Sequence, residues 1–138
     1  MHTNQLQSLA LLVLAHIGTV SPAQPPESLT LVSAGALYSL RVPDLEVTDG
    51  VRIARWDVSY EWERHLRSNK PYKFAVVRVA YDCTEQKYAS LSEQLYAERA
   101  SSTPLKSSSS DIGGLSWRNA EPRSIEERQL RAVCSIQS

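Results

Sequence analysis

The chain contains two cysteines, Cys83 and Cys134, and their state constrains its fold more than any other sequence feature. In a short exported protein, two cysteines indicate one disulfide, whereas in a cytosolic protein the same pair would more often be two unrelated buried thiols. A bond between them would close a loop of about fifty residues and stabilise the fold by about 4 kcal/mol in the chain-entropy model. The cellular compartment therefore decides whether the C-terminal segment is tied to the middle of the chain.

The N-terminal residues have the pattern of an export signal. A polar start precedes the apolar run Leu9–Val20, and Ser21 and Ala23 are small residues at the positions that signal peptidase requires. A buried helix is the alternative, because no Lys or Arg precedes the run. The run is shorter than the ~20 residues that span a bilayer. We therefore predict a signal peptide over residues 1–23, cleaved near Ala23, and a periplasmic or secreted mature protein that has no transmembrane segment and contains the disulfide.

The residues after this cleavage point predict one small α+β domain. Residues 24–28 are polar and proline-rich, which is typical of a flexible lead-in, and residues 29–138 have the length of a single domain. In Val51–Trp62 the apolar positions change parity between Ile53 and Trp56, which indicates a β-bulge or a strand buried on both faces. β-forming residues between turn signals predict four strands: Leu29–Ser33, Leu37–Val42, Val51–Trp62 and Tyr72–Cys83.

The second half of the chain is less uniform. Lys87–Glu98 fits a strand or a helix equally well by local pattern. Arg99–Ser116 is rich in serine and glycine, which predicts a mobile surface loop. Ser124 followed by Glu127 is a capping box, so a C-terminal helix should begin there. Its inner stripe should consist of Ile125, Leu130, Val133 and Cys134.

Several function classes have no support in the composition. The 15 basic and 15 acidic side chains cancel, so no overall field would attract nucleic acid. Beyond the predicted signal peptide, His65 is the single histidine, which disfavours a metal site or a histidine-based catalytic site. Gly113-Gly114 lacks the strand-to-helix setting of a phosphate loop. We therefore expect no cofactor, no metal and no catalytic residues.

One charged segment is the candidate contact surface. Glu63–Lys73 contains a Ser-Asn-Lys-Pro sequence and is predicted to be a connecting loop. Its basic residues could dock an acidic partner, with Tyr72 as an amphipathic anchor, and the alternative is an ordinary solvated loop. The tryptophans Trp56, Trp62 and Trp117 are predicted to lie in the core. The candidate partner-binding residues are Arg64, Arg67, Lys70, Tyr72 and Lys73.

Over roughly residues 56–134 the sequence resembles the surface-adhesin protein E family of Gram-negative exported proteins. The shared features are Tyr81-Asp82-Cys83 at the end of a β-run with Tyr88 soon after, and Trp117, Pro122-x-Ser124 and Cys134 at fixed spacing. The resemblance implies a small antiparallel sheet, a strand over Lys87–Ala97, and a C-terminal helix tied to the sheet by a disulfide between Cys83 and Cys134. The sequence departs from the family pattern in lacking a cysteine for lipid attachment and in having the long segment Arg99–Ser116.

The resemblance also implies a function. The adhesin of this family is said to bind host extracellular-matrix and serum proteins, so we expect an exported, non-enzymatic binding protein with a protein partner. An open sheet edge would also permit pairing with a second copy. The alternative is a periplasmic small-ligand carrier or an enzyme with a pocket between the sheet and the helix.

Overall fold

The computed structural model describes residues 27–137 and, apart from them, Gly18. The predicted cleavage site and most of the predicted lead-in lie outside the described residues. One sheet, one α-helix and two short 3₁₀ helices, Val42–Asp44 and Ile112–Gly114, account for the regular structure of residues 27–137. The strands are β1 (Ser28–Ser33), β2 (Ala36–Arg41), β3 (Glu46–Thr48), β4 (Val51–His65), β5 (Pro71–Asp82), β6 (Lys87–Tyr96), β7 (Lys106–Ser109) and β8 (Arg118–Asn119), and the helix is α1 (Ile125–Ser135).

All of these strands pair antiparallel, in the order β1-β2-β4-β5-β6-β7. The short strands β3 and β8 pair with β4 and β6. The helix covers one face of the sheet, and the bond between Cys83 and Cys134, with 5.6 Å between their Cα atoms, ties the helix to the end of β5. The predicted α+β class, with an antiparallel sheet, a C-terminal helix and one disulfide, is confirmed.

The change of parity in β4 comes from burial on both faces. Ala54, Trp56 and Val58 point toward the helix and belong to the main core, whereas Ile53 points to the opposite face. There Ile53 packs in a small cluster with Ala80 and Leu91. Pairing with β5 is regular from Val51 to Ser59, and the irregularity lies between Ser59 and Arg64. The bulge alternative between Ile53 and Trp56 was therefore wrong, and burial on both faces was right.

The predicted connecting loop Glu63–Lys73 is shorter than expected. β4 continues to His65 and β5 already begins at Pro71, so residues 66–70 alone form the turn. The turn is closed by the Leu66 amide, which donates to the Lys70 carbonyl at 2.9 Å. Charge made this segment look like a loop, but exposed strands at the end of a hairpin also carry charged side chains.

The predicted loop Arg99–Ser116 also contains a strand. Residues 106–109 form β7, which pairs with β6 at the edge of the sheet. Serine side chains contribute no core contacts here, so backbone hydrogen bonds to β6 hold the strand in place. β6 itself settles the ambiguity at Lys87–Glu98, because it is a strand over ten residues.

The C-terminal helix begins as its capping box predicts. The Ser124 hydroxyl accepts a hydrogen bond from the Glu127 amide at 3.1 Å. The Glu127 carboxylate accepts from the amide of Arg123, one residue earlier than in the standard box. Of the predicted inner stripe, Leu130 and Val133 are buried and Ile125 and Cys134 are half-buried.

Candidate functional site

Exposure rises abruptly at one end of the β4–β5 hairpin. Trp56 and Val58 are buried, Tyr60 is half-buried, and residues 61–65 are all exposed. We call residues 60–73 the hairpin end. It contains all the predicted partner-binding residues, so their relative positions can be compared directly.

Two of the predicted residues converge on Tyr60. The rings of Tyr60 and Tyr72 meet edge to face with 5.6 Å between centroids. The Arg64 guanidinium lies over the Tyr60 ring, 4.8 Å from its centroid, and donates a long hydrogen bond of 3.4 Å to the Ala34 carbonyl. The turn between β1 and β2 thus helps to hold Arg64 in position.

The other predicted residues do not join this cluster. Arg67 and Lys70 are exposed in the turn, and Lys73 is half-buried in β5. Within residues 27–137, no ion pair neutralises any of the basic side chains of the hairpin end. With four basic side chains and the two carboxylates of Glu61 and Glu63, the hairpin end carries a net charge of +2 on a molecule with no net charge.

Trp62 also belongs to this surface, although it was predicted to lie in the core. Its side chain is 65% exposed, and Trp117 is also exposed, whereas Trp56 is fully buried. The prediction of three core tryptophans is correct for Trp56 alone. The Trp62 ring lies against Gly35, where an added Cβ would be 2.5 Å from the ring, and the φ of Gly35 is +76°.

Glycine thus provides both the turn between β1 and β2 and the flat surface under the indole. Val32 and Leu37 are exposed beside it and extend the apolar surface. The sequence carried a weak signal for this exposure, because Trp62 stands between Glu61 and Glu63 in a charged stretch.

A second feature adjoins the hairpin end on the helix side of the sheet. A cavity of about 230 Å³ lies between the N-terminal half of α1 and the sheet, at the place where the alternative prediction put a pocket. Tyr38 and Tyr60 line it, so the same Tyr60 belongs to both features. The other lining residues are Trp56, Val58, Val77, Val79, Tyr88, Ser90, Glu93, Ile125, Glu126 and Gln129.

Tyr38 and Tyr60 remain neutral at ordinary pH. Burial raises the pKa of Tyr60 to about 12, with further contributions from Tyr38, Tyr72 and Glu93 that outweigh the opposing effect of Arg64. Burial, followed by the Glu126 carboxylate, raises the pKa of Tyr38. Their hydroxyl groups therefore remain hydrogen-bond donors as well as acceptors.

The opposite face of the sheet is different in character. Arg78 pairs with Glu46 at 3.1 Å, and Arg55 lies 3.4 Å from Asp57. Arg78 and Glu46 are largely exposed, whereas Asp57 is half-buried, and in each pair the two opposite charges neutralise each other. Because its charges are paired and its apolar cluster is small, this face offers less for recognition than the hairpin end.

Comparison with known proteins identifies a family to which the chain is similar. The surface-adhesin protein E family model matches residues 44–135, which extend from β3 through almost all of α1. No curated protein matches the chain significantly. Within the described residues, no helix has the length and apolarity needed to cross a membrane.

Proposed function

The chain belongs to the surface-adhesin protein E family, and we propose that it is an exported, non-enzymatic binding protein that contacts protein partners through its hairpin end. The family match supports an adhesin-like role in general terms. The particular surface and the nature of the partner are inferred from the geometry of residues 60–73.

The exposed Trp62 beside Arg64 is the observation that carries this proposal. Trp, Tyr and Arg are the residues most enriched among those that dominate binding energy at protein interfaces. Here an exposed indole rests on Gly35, while Arg64 and Tyr72 are held against Tyr60. Because these side chains are already positioned, binding would require little additional ordering.

The unpaired basic residues suggest the chemistry of the partner. Arg67 and Lys70 project from the turn, and Arg64 lies on the adjacent strand. An acidic protein surface would complement them, and the resulting association would weaken as salt is added. We therefore propose an acidic protein partner.

We propose that the mature protein is periplasmic or secreted, which the disulfide and the N-terminal sequence support. Disulfides persist in the periplasm and outside the cell and are rare in the cytosol. The bond between Cys83 and Cys134 therefore supports export of the chain. Removal of residues 1–23 as a signal peptide, a short lead-in over 24–28 and one domain over 29–138 stay predictions. A second copy could still pair at an open strand edge, which stays a prediction.

A ligand carrier or an enzyme is the second candidate, and the cavity beneath α1 is the observation that favours it. Its volume of about 230 Å³ is smaller than most pockets for drug-sized ligands, which occupy roughly 300–1,000 Å³. The cavity is therefore suited to a small group rather than to a large substrate.

Binding of the purified, oxidised chain to immobilised extracellular-matrix and serum proteins tests the proposal. We expect binding to at least one of them, weaker at high salt, and at least tenfold weaker for Trp62→Ala and for Arg64→Ala. Trp117→Ala and Arg118→Ala are the matched controls, because both residues are exposed and lie away from the hairpin end. Absence of binding to every protein, or equal losses in the control variants, would refute the proposal.

A further inference from the structure

The cavity between the sheet and α1 has a size that limits its occupant. At about 230 Å³ it can enclose one side chain or a small organic molecule. Its walls come from four strands and from the first half of the helix, so they are fixed by the sheet and by the disulfide-tied helix. The cavity is thus a preformed site, distinct from the exposed surface of Trp62.

The charged residues that line the cavity are both acidic. Glu93 enters the lining from β6, and Glu126 from the first turn of α1. No Lys, Arg or His belongs to the lining, and within residues 27–137 neither carboxylate takes part in an ion pair. The two acidic groups therefore remain available to a positively charged ligand.

The aromatic part of the lining favours the same kind of ligand. Tyr38, Trp56, Tyr60 and Tyr88 contribute rings, and aromatic faces attract cations, most strongly when the cation is removed from water. The Trp56 indole nitrogen already donates to the Tyr81 hydroxyl at 2.8 Å, so Trp56 contributes to the cavity as an apolar ring. The Tyr60 ring also contacts the guanidinium of Arg64, which is not a lining residue.

Gln129 adds a neutral polar group to the lining. It is only 7% exposed, and it lines the cavity. Its side-chain carbonyl oxygen could accept a hydrogen bond from an N–H group in the cavity.

We propose that this cavity binds one organic cation, an alkylammonium or guanidinium group, between Glu93 and Glu126 and against the surrounding aromatic rings. The cation belongs either to a free amine or to a basic side chain of another protein, since both offer the same chemistry. This site goes beyond the proposed function, because it uses neither Trp62 nor the basic residues of the hairpin end.

Nuclear magnetic resonance titration of the ¹⁵N-labelled, oxidised chain tests the proposal. Cadaverine represents a free amine, Nα-acetyl-lysine methylamide represents a protein side chain, and 1,5-pentanediol is a neutral compound of the same length as cadaverine. We expect at least one of the two cations to shift the Trp56 indole and Gln129 amide signals and to bind at least tenfold more tightly than the diol. The cation that binds more tightly identifies the source.

Variants of the acidic residues sharpen this test. Glu93→Gln and Glu126→Gln should each weaken cation binding about tenfold, the loss expected for one charge-assisted hydrogen bond. Glu121→Gln is the matched control, because this exposed carboxylate precedes α1 and does not line the cavity. Trp62→Ala should leave cation binding unchanged, so failure at the hairpin end and failure at the cavity can be distinguished.

The comparison of cation and diol requires no variant, so it remains decisive even if a substitution unfolds the domain. Equal affinity for cation and diol, absence of shifts at Trp56 and Gln129, or the same loss of affinity in Glu121→Gln as in the two cavity variants would overturn the proposal.

Discussion

The two ends of the β4–β5 hairpin differ in how they are held. One end comprises residues 51–56 and 79–83 and lies far from the turn; we call it the disulfide end. There Arg52 donates hydrogen bonds to the carbonyls of Val133 and Ile136 at 2.7 and 2.6 Å. Cys83 is bonded there to Cys134. At the hairpin end, the Glu61 amide donates to the Gly35 carbonyl at 2.8 Å, and the Trp62 ring lies against Gly35. Arg64 adds a longer hydrogen bond of 3.4 Å to the same turn.

This difference separates stability from recognition within one pair of strands. The disulfide end joins the helix to the sheet through the disulfide, charge-assisted hydrogen bonds and core contacts. We therefore expect it to unfold only together with the whole domain. The hairpin end holds large side chains in place while leaving them accessible. A surface with few buried contacts can change its residues without loss of the fold, and binding residues are often found at such places.

Removal of the disulfide should have the largest effect. For Cys83→Ser combined with Cys134→Ser, we expect the free energy of unfolding to fall by about 4 kcal/mol, because the bond closes a loop with a sequence separation of 51 residues. Urea denaturation followed by circular dichroism measures this value, and reduced wild-type protein should give the same result. A loss below about 1 kcal/mol would remove the main distinction between the two ends.

Substitution of Arg52 should have a smaller effect and tests the noncovalent contacts of the disulfide end. Arg52→Met keeps most of the apolar stem but removes both hydrogen bonds to the last helical carbonyls, so we expect a loss of about 2 kcal/mol in the free energy of unfolding. Arg55→Met is the matched control on the opposite face and should change stability by at most about 0.5 kcal/mol. Equal effects of the two substitutions in urea denaturation would contradict this role for Arg52.

Alkaline pH tests the partly buried tyrosine that links the cavity to the hairpin end. The pKa of Tyr60 is raised from 10.0 to about 12, so between these pH values the unfolded chain ionises more readily than the folded one. The contribution of Tyr60 to the free energy of unfolding is therefore fully present below pH 10 and is lost as pH rises toward 12. Tyr60→Phe should reduce this fall by about 1 kcal/mol, less than the full shift implies, because Tyr60 is partly solvated.

Urea denaturation of wild-type protein and Tyr60→Phe at pH 8 and near pH 12 measures this difference. An identical loss of stability in the two proteins would show that ionisation of Tyr60 does not oppose folding.

Much of the fold could be predicted because local signals and the family resemblance agreed. Ser124 and Glu127 marked the start of the helix, and the two cysteines located its attachment to the sheet. The register of β4 was harder, since a change of parity at Ile53 fits a bulge as well as burial on two faces. Sequence alone cannot decide between them, because the second face is covered by residues such as Leu91 and Leu115 from later parts of the chain.

The candidate surfaces were less predictable for a related reason. The basic residues near Tyr72 could be found by charge, but the exposure of Trp62 depends on Gly35, which is distant in sequence and adjacent in space. The sequence predicted only that a pocket could lie between the sheet and the helix, without naming the residues that line it. Its acidic lining brings together Glu93 and Glu126 from different elements, and no local pattern connects them.

The most direct test of this division is the double variant Trp62→Ala/Arg64→Ala, measured for both stability and binding. We expect its free energy of unfolding to differ from that of the wild type by about 0.5 kcal/mol or less, because both side chains are largely exposed. Binding to the matrix or serum protein recognised by the wild type should fall at least tenfold. Unchanged binding, or a loss of stability comparable to that of Arg52→Met, would contradict the separation of the two ends.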